Sequence, residues 1–211
     1  MGWCSVCFRR GREVRLGLWL GVCGLCWEEL RELELAGTSL YRYEGVVRGL
    51  VLRAKVQGDH RALVLLGELV RRSARVGEMA AWCDGVVAAP SSLWGRLRGR
   101  LDLAAYLAEV VAASVPASRP LVPAPLHLFW RLRKHALLSR AERGEAGRRE
   151  LPPWLVHVSL RRFERHAGER LLLVDDVVTS GETLRSLRNA LAEDGRQLRV
   201  LTLAAAKETA W

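Results

Sequence analysis

The stretch Leu171-Leu-Leu-Val-Asp-Asp-Val-Val-Thr-Ser-Gly-Glu-Thr-Leu184 constrains the fold of this chain more than any other. Four consecutive apolar residues predict a buried strand, from Arg170 to Val174, and Asp175 and Asp176 follow at its carboxyl end. A strand apolar on both faces belongs to a parallel sheet covered by helices, and open sheets of that kind bind ligands beyond the carboxyl ends of their strands. Thr179, Ser180, Gly181 and Thr183 then form a turn into a predicted helix over Gly181 to Glu193. The first N–H groups of a helix are unpaired and lie at the positive end of its dipole, so a phosphate monoester is satisfied there. Gly181 lets the backbone approach such a phosphate closely. Two adjacent carboxylates would repel a phosphate if they pointed into it, but they suit two neighbouring ribose hydroxyls. Together these residues describe a grip for a ribose carrying a 5′-phosphate.

The rest of the chain alternates helical and strand signals. Val47, Leu50, Val51 and Ala54 recur at helical spacing, and a second helix is expected from about Arg61 to Val76. Gly85 to Ala89 reads as a short buried strand ended by Pro90, and a helix follows from about Leu101 to Ser114. Pro120 to Pro125 begins with a poor candidate strand, Trp154 to Val158 with a better one, and Leu198 to Ala204 reads as the last. The segment Leu126 to Pro153 is rich in Arg and Glu and gives no clear pattern. Strands alternating with helices imply an α/β fold with a doubly wound, mostly parallel sheet.

Residues 1–36 stand apart, with four of the five cysteines and a charged helical run, Trp27 to Leu35, before the stop at Gly37. Cys4-x₂-Cys7 and Cys23-x₂-Cys26 have the spacing of a four-thiolate Zn²⁺ site, in which each pair presents two sulfurs to one tetrahedral ion. A metal would let a segment with so small a core fold. Four sulfurs leave no open position, so the ion is expected to be structural. Arginines ahead of the apolar stretch Leu16 to Trp27 superficially resemble an export signal, but the bracketing cysteines argue against one. Charges interrupt every apolar run before a membrane-spanning length. The expected location is therefore the cytoplasm, where disulfides are rare. Cys83 is expected to be a small buried hydrophobe.

The formal net charge is +10, and all but three of the 33 basic residues are arginines. Arginine suits bidentate contacts to phosphate, and a strongly basic domain attracts nucleic acid. Genomic base bias over a solvated surface would leave the same composition. Trp94 and Trp130, beside arginines, are candidates for stacking on bases.

The string from Val174 to Thr183 resembles the ribose-phosphate signature of the type I phosphoribosyltransferases. That resemblance implies that Asp175 and Asp176 bind ribose hydroxyls, and that Thr179, Ser180, Gly181, Glu182 and Thr183 bind the 5′-phosphate. It also implies Mg²⁺, carried in with the pyrophosphate of phosphoribosyl pyrophosphate. A zinc finger over residues 1–36 ahead of a phosphoribosyltransferase-like domain over 37–211 is similar to the ComF family, associated with DNA uptake in natural transformation. Tyr43-Glu-Gly-Val-Val-Arg-Gly-Leu50 with Lys55 and Gly58-Asp59, the strand before Pro90 with Trp94 to Arg100, and Ala136 to Arg143 carry the likeness further. The chain departs from the family at Ala88-Ala89-Pro90 and at Arg98-Gly99-Arg100-Leu101-Asp102, where the pyrophosphate and an acceptor base would sit. The resemblance implies binding of single-stranded DNA and of a phosphoribosyl pyrophosphate-type ligand, with DNA-uptake helicase or recombination proteins as partners. Transfer of ribose-5-phosphate to a nucleobase is the alternative. Lys55, Arg96, Arg98 and Arg100 are the candidate cations for a pyrophosphate or a DNA phosphate.

Overall fold

Short extended segments surround the cysteines because turns, not apolar runs, dominate there. A computed structural model of the protein describes residues 2–11, 13–15, 21–89, 101–115, 121, 168–192 and 195–206. Strand β1 (Gly2–Trp3) pairs antiparallel with β2 (Arg10–Gly11), and β3 (Glu13–Arg15) with β4 (Gly21–Cys23). Helix α1 (Gly24–Glu32) follows at once. It begins three residues before the expected helical run and stops earlier, because Leu35 turns back to accept a place beside the next strand, its N–H donating to Leu40 O at 2.8 Å.

The main sheet contains β5 (Ser39–Arg42), β6 (Gly85–Ala88), β7 (Arg170–Val178) and β8 (Gln197–Ala205) in the order β5-β8-β7-β6, every pair parallel. Register is fixed by pairs such as Val86 with Leu172, Leu173 with Val200 and Asp175 with Thr202. Leu171, Leu172 and Leu173 are fully buried in the central strand, and each contributes roughly 2 kcal/mol of apolar burial. At the edge, the buried hydroxyls of Ser39 and Thr202 lie 2.7 Å apart, satisfying each other between β5 and β8.

Helices α2 (Gly45–Gln57), α3 (His60–Arg72), α4 (Ala74–Trp82) and α5 (Leu103–Ala112) share one apolar core with Leu172, Val174, Leu201 and Leu203. Helix α6 (Glu182–Ala192) covers the opposite face, where Leu184, Leu187 and Leu191 meet Val87, Leu171, Leu173 and Val200. Both faces of the parallel sheet are thus covered, and the protein has the expected α/β architecture. The core does not stop at the cysteine segment: Cys4, Val22, Cys26, Leu30 and Leu33 belong to the same cluster as Leu40, Val47 and Leu50.

Several local outcomes have simple causes. Gly58 closes α2 in the left-handed region, φ +67°, and Asp59 then caps α3 by accepting from the N–H groups of Arg61 and Ala62. The single helix expected over 61–76 is two, because Ser73 is extended and ends α3 before α4 begins. Asp102 caps α5 through the Ala105 N–H at 3.2 Å. Strand β5 has no strong apolar pattern and was not expected; pairing with β8 makes it. Leu121 forms a parallel bridge with Val86 at the β6 edge, and the rest of the segment Pro120 to Pro125 lies outside the described residues. The strand expected over Trp154 to Val158, the segment 126–153, Trp94, Trp130 and Arg96, Arg98 and Arg100 lie outside the described residues. Among the described residues no helix is long and apolar enough to cross a membrane.

Candidate functional site

Strand β7 continues through the acidic pair to Val178, four residues beyond the end expected from its apolar run. In a flat strand, neighbouring side chains face opposite sides of the sheet. Leu172 and Val174 accordingly pack into the core of α2 to α5, and Leu171 and Leu173 into that of α6. The alternation reverses across the pair, since Val177 packs against the first core and Val178 into the second. Asp175 Oδ1 accepts from the Asp176 N–H at 2.8 Å, and Asp176 Oδ1 accepts from the Val177 N–H at 2.7 Å. Each carboxylate thereby satisfies the next peptide where the strand rotates. The two acids lie close enough to repel each other instead of being separated by the sheet.

Electrostatics follow from that geometry. Burial, and after it the neighbouring Asp176 charge, push the Asp175 carboxyl up to about 7, while Lys55 opposes the rise. Asp176 is 5% exposed and is ion-paired through Oδ2 with Lys55 Nζ, which reaches over from α2. Three of the expected site residues, Lys55, Asp175 and Asp176, therefore meet at the carboxyl end of β7.

The turn after β7 has the conformation that its residues suggest. Gly181 is buried with φ +68°, in the left-handed region where a β-carbon is strained. Glu182 opens α6, Thr179 and Ser180 are exposed, and Thr183 is half-buried. Arg185 was not foreseen: its guanidinium donates to Ser180 O, while its N–H donates to Gly181 O at 2.9 Å. An arginine four residues past a glycine in a phosphate-type turn was the available signal.

The cysteine quartet forms a second centre. The Sγ atoms of Cys4, Cys7, Cys23 and Cys26 all lie within 4.8 Å of one another, and no other group of three or more metal-donor side chains occurs among the described residues. Zn–S bonds of about 2.3 Å in a tetrahedron imply sulfur separations of about 3.8 Å; Cys7 and Cys23 stand at 3.7 Å. That is far too long for a disulfide, and none of the five cysteines, all among the described residues, is in one. Cys83 is fully buried in the core. Burial works against the Cys4 thiolate, but N–H groups of Cys23, Cys7 and Val6, at 3.3 to 3.5 Å from its sulfur, bring its pKa down to about 7. Burial and the neighbouring sulfurs push Cys26 far up, and Cys23 is also raised. Four clustered thiols that cannot all ionise unaided are what a divalent soft-tolerant cation neutralises. The quartet fits a structural Zn²⁺.

Helix α2 connects the two centres. At its start Glu29 Oε1, from α1, accepts from the Val46 N–H at 2.9 Å. Gly45 is at φ +45°, and a β-carbon there would collide with the Glu29 carboxylate. Near its end Arg53 pairs with Asp59 and donates through Nη1 to the carbonyls of Ser5 at 3.2 Å and Val6 at 2.9 Å, inside the first Cys-x₂-Cys turn. Lys55 lies two residues further on. Neither Glu29 nor Arg53 was singled out from sequence, since both partners are remote in the chain. Compared with known proteins, the chain matches no protein-family model and no curated sequence.

Proposed function

We propose that this chain is a DNA-uptake accessory protein, acting in natural transformation, that binds single-stranded DNA and a phosphoribosyl pyrophosphate-type ligand. The observation that carries the reading is the adjacent pair Asp175 and Asp176, held together at the carboxyl end of the central strand, directly ahead of the Gly181 turn into α6. The carboxylates accept hydrogen bonds from two ribose hydroxyls, and the amides that open α6, with the hydroxyls of Thr179, Ser180 and Thr183, take the 5′-phosphate. Lys55 supplies a cation beside the ring. Two carboxylate donors, one of them ion-paired, suit a Mg²⁺ that keeps waters and arrives with the ligand's pyrophosphate. The charge of +10 supports the nucleic-acid half of the reading.

Calorimetric titration of the zinc-loaded protein with phosphoribosyl pyrophosphate and Mg²⁺ tests the ligand. Saturable binding that disappears in the Asp175→Asn, Asp176→Asn double variant is expected. Unchanged affinity in that variant refutes the site.

The second reading, an active phosphoribosyltransferase, is favoured by one feature, a carboxyl at Asp175 that changes protonation near pH 7. Such a group beside the ribose can balance charge that develops at C1 and exchange a proton with the acceptor. Pyrophosphate release across a panel of nucleobases distinguishes turnover from binding alone.

A further inference from the structure

The zinc-site segment carries a set of side chains that its own folding does not require. Trp3 is 60% exposed, Phe8 50% and Leu25 73%, which places three large apolar residues in solvent around one small metal site. Buried packing would be expected of them in so small a core, and a polar surface would be expected outside it. Each ring also has a cation over its face: the Arg10 guanidinium lies 4.9 Å from the Trp3 ring centre, and that of Arg53 lies 4.4 Å from the Phe8 ring centre.

Phe8 is the sharpest of these observations. It follows Cys7 directly and has φ +58°, the single non-glycine residue in the left-handed region among the described residues. Glycine would take that conformation without strain, and a bulky side chain there is a true outlier. A strained, exposed aromatic points to a function for the ring, because the fold alone would favour glycine.

The surroundings select the ligand. A cleft lined by Cys7, Arg9, Cys23, Leu25, Cys26 and Arg53 among others takes in the metal site itself, and Phe8 follows its lining residue Cys7 in the chain. Arg9 and Arg10 are exposed and make no ion pair among the described residues. The one acid in the cleft, Glu29, is occupied by the Val46 N–H. Flat apolar rings beside arginines that make no ion pair among the described residues match a chain that offers base faces and phosphates alternately. A duplex hides its base faces, and an acidic peptide has no use for the rings.

We infer that the zinc-site face bearing Trp3, Phe8, Arg9 and Arg10 is the single-stranded DNA-binding surface of this protein, with bases stacking on the two rings. This assignment rests on the nucleic-acid half of the proposed function and names its site. It is separate from the ribose-phosphate grip, so the two ligands bind without competing for residues.

The test uses the full-length, zinc-loaded chain and fluorescein-labelled oligo(dT), followed by anisotropy over a salt series. Phe8→Gly is the decisive variant, because it removes the ring while relieving the backbone. Its zinc content and melting temperature should match or exceed the wild type, while affinity falls about tenfold, the value of one stacked base. Trp3→Ala should cost a similar factor, and Arg9→Ala should lower the slope of log affinity against log salt by about one. Wild-type affinity in both ring variants, with the wild type binding oligo(dT) normally, overturns the assignment but leaves the proposed function standing. Equal affinity for a duplex of the same length overturns the stacking geometry. No binding by the wild type at low salt defeats the nucleic-acid reading itself.

Discussion

Replacing Asp175 by Asn should make the protein more stable at neutral and alkaline pH, contrary to the usual effect of removing a buried charge. In the folded chain this carboxyl is raised from 3.8 to about 7, first by burial and then by the charge of Asp176. The folded state therefore binds the Asp175 proton more tightly than the unfolded state does. Stability from that proton is complete below the unfolded pKa and is lost as pH rises through the folded one. A rise of that size corresponds to a full penalty of roughly 4 kcal/mol near pH 8. Between pH 5 and pH 8 the wild type should lose roughly 2 to 3 kcal/mol relative to the variant, the remainder being lost below pH 5. Asn retains an oxygen to accept from the Asp176 N–H, so the strand rotation is preserved. Urea unfolding at half-unit pH steps, with zinc present throughout, measures the difference, and titrations common to both proteins cancel. Parallel profiles for the two proteins, or a variant less stable at pH 8, would show that Asp175 is not raised and that the two acids do not face each other.

The two other predictions concern the connection between the cysteine centre and α2. Stripping the metal with a strong chelator, or changing Cys26 to Ser, should leave less than one zinc per chain and lower the melting temperature by about 10 °C, since metal affinity is folding energy in such segments; an unchanged melt in scanning calorimetry would mean that the quartet holds no structural ion. Arg53→Ala removes the Asp59 ion pair and two carbonyl contacts at a site where the arginine side chain is 14% exposed; it should cost about 2 to 4 kcal/mol, with Arg53→Lys recovering less than half because it lacks the planar fork. A melt within one degree of the wild type would refute the role given to Arg53.

Legibility in the sequence followed the range of the forces involved. The central strand, α6 and the cysteine quartet are written in contiguous residues, where apolar runs, a Gly turn and Cys-x₂-Cys spacing each carry their own physics. The continuation of β7 through Asp175 and Asp176 was not readable, because charged residues end an apolar pattern even when their own side chains satisfy the following peptides. Strand β5 was invisible for a different reason: Ser39 is buried only because Thr202 answers its hydroxyl. The same holds for Glu29 and Arg53, which look like ordinary surface charges until partners distant in the chain face them, whereas Lys55 is a candidate cation in the sequence and only its pairing with Asp176 is not legible there. The acids and the cation Lys55 are each candidates in the sequence, and tertiary pairing brings them together.

The pairing of β5 with β8 has a consequence for how the protein is made. Ser39 and Thr202 are 163 residues apart, so at a synthesis rate of about 5 to 20 residues per second β5 waits roughly ten to thirty seconds for its neighbour. An unpaired strand edge invites pairing with other chains during such an interval. Arg75, which is translated soon after β5, donates to the carbonyls of Leu35, Gly37 and Ser39. Those bonds need only α4 and the segment before it, so they can form long before β8 exists. Arg75 then holds the segment leading into the waiting strand through Leu35 O, Gly37 O and, within β5 itself, Ser39 O, and it keeps those bonds after β8 has docked on Thr38 O.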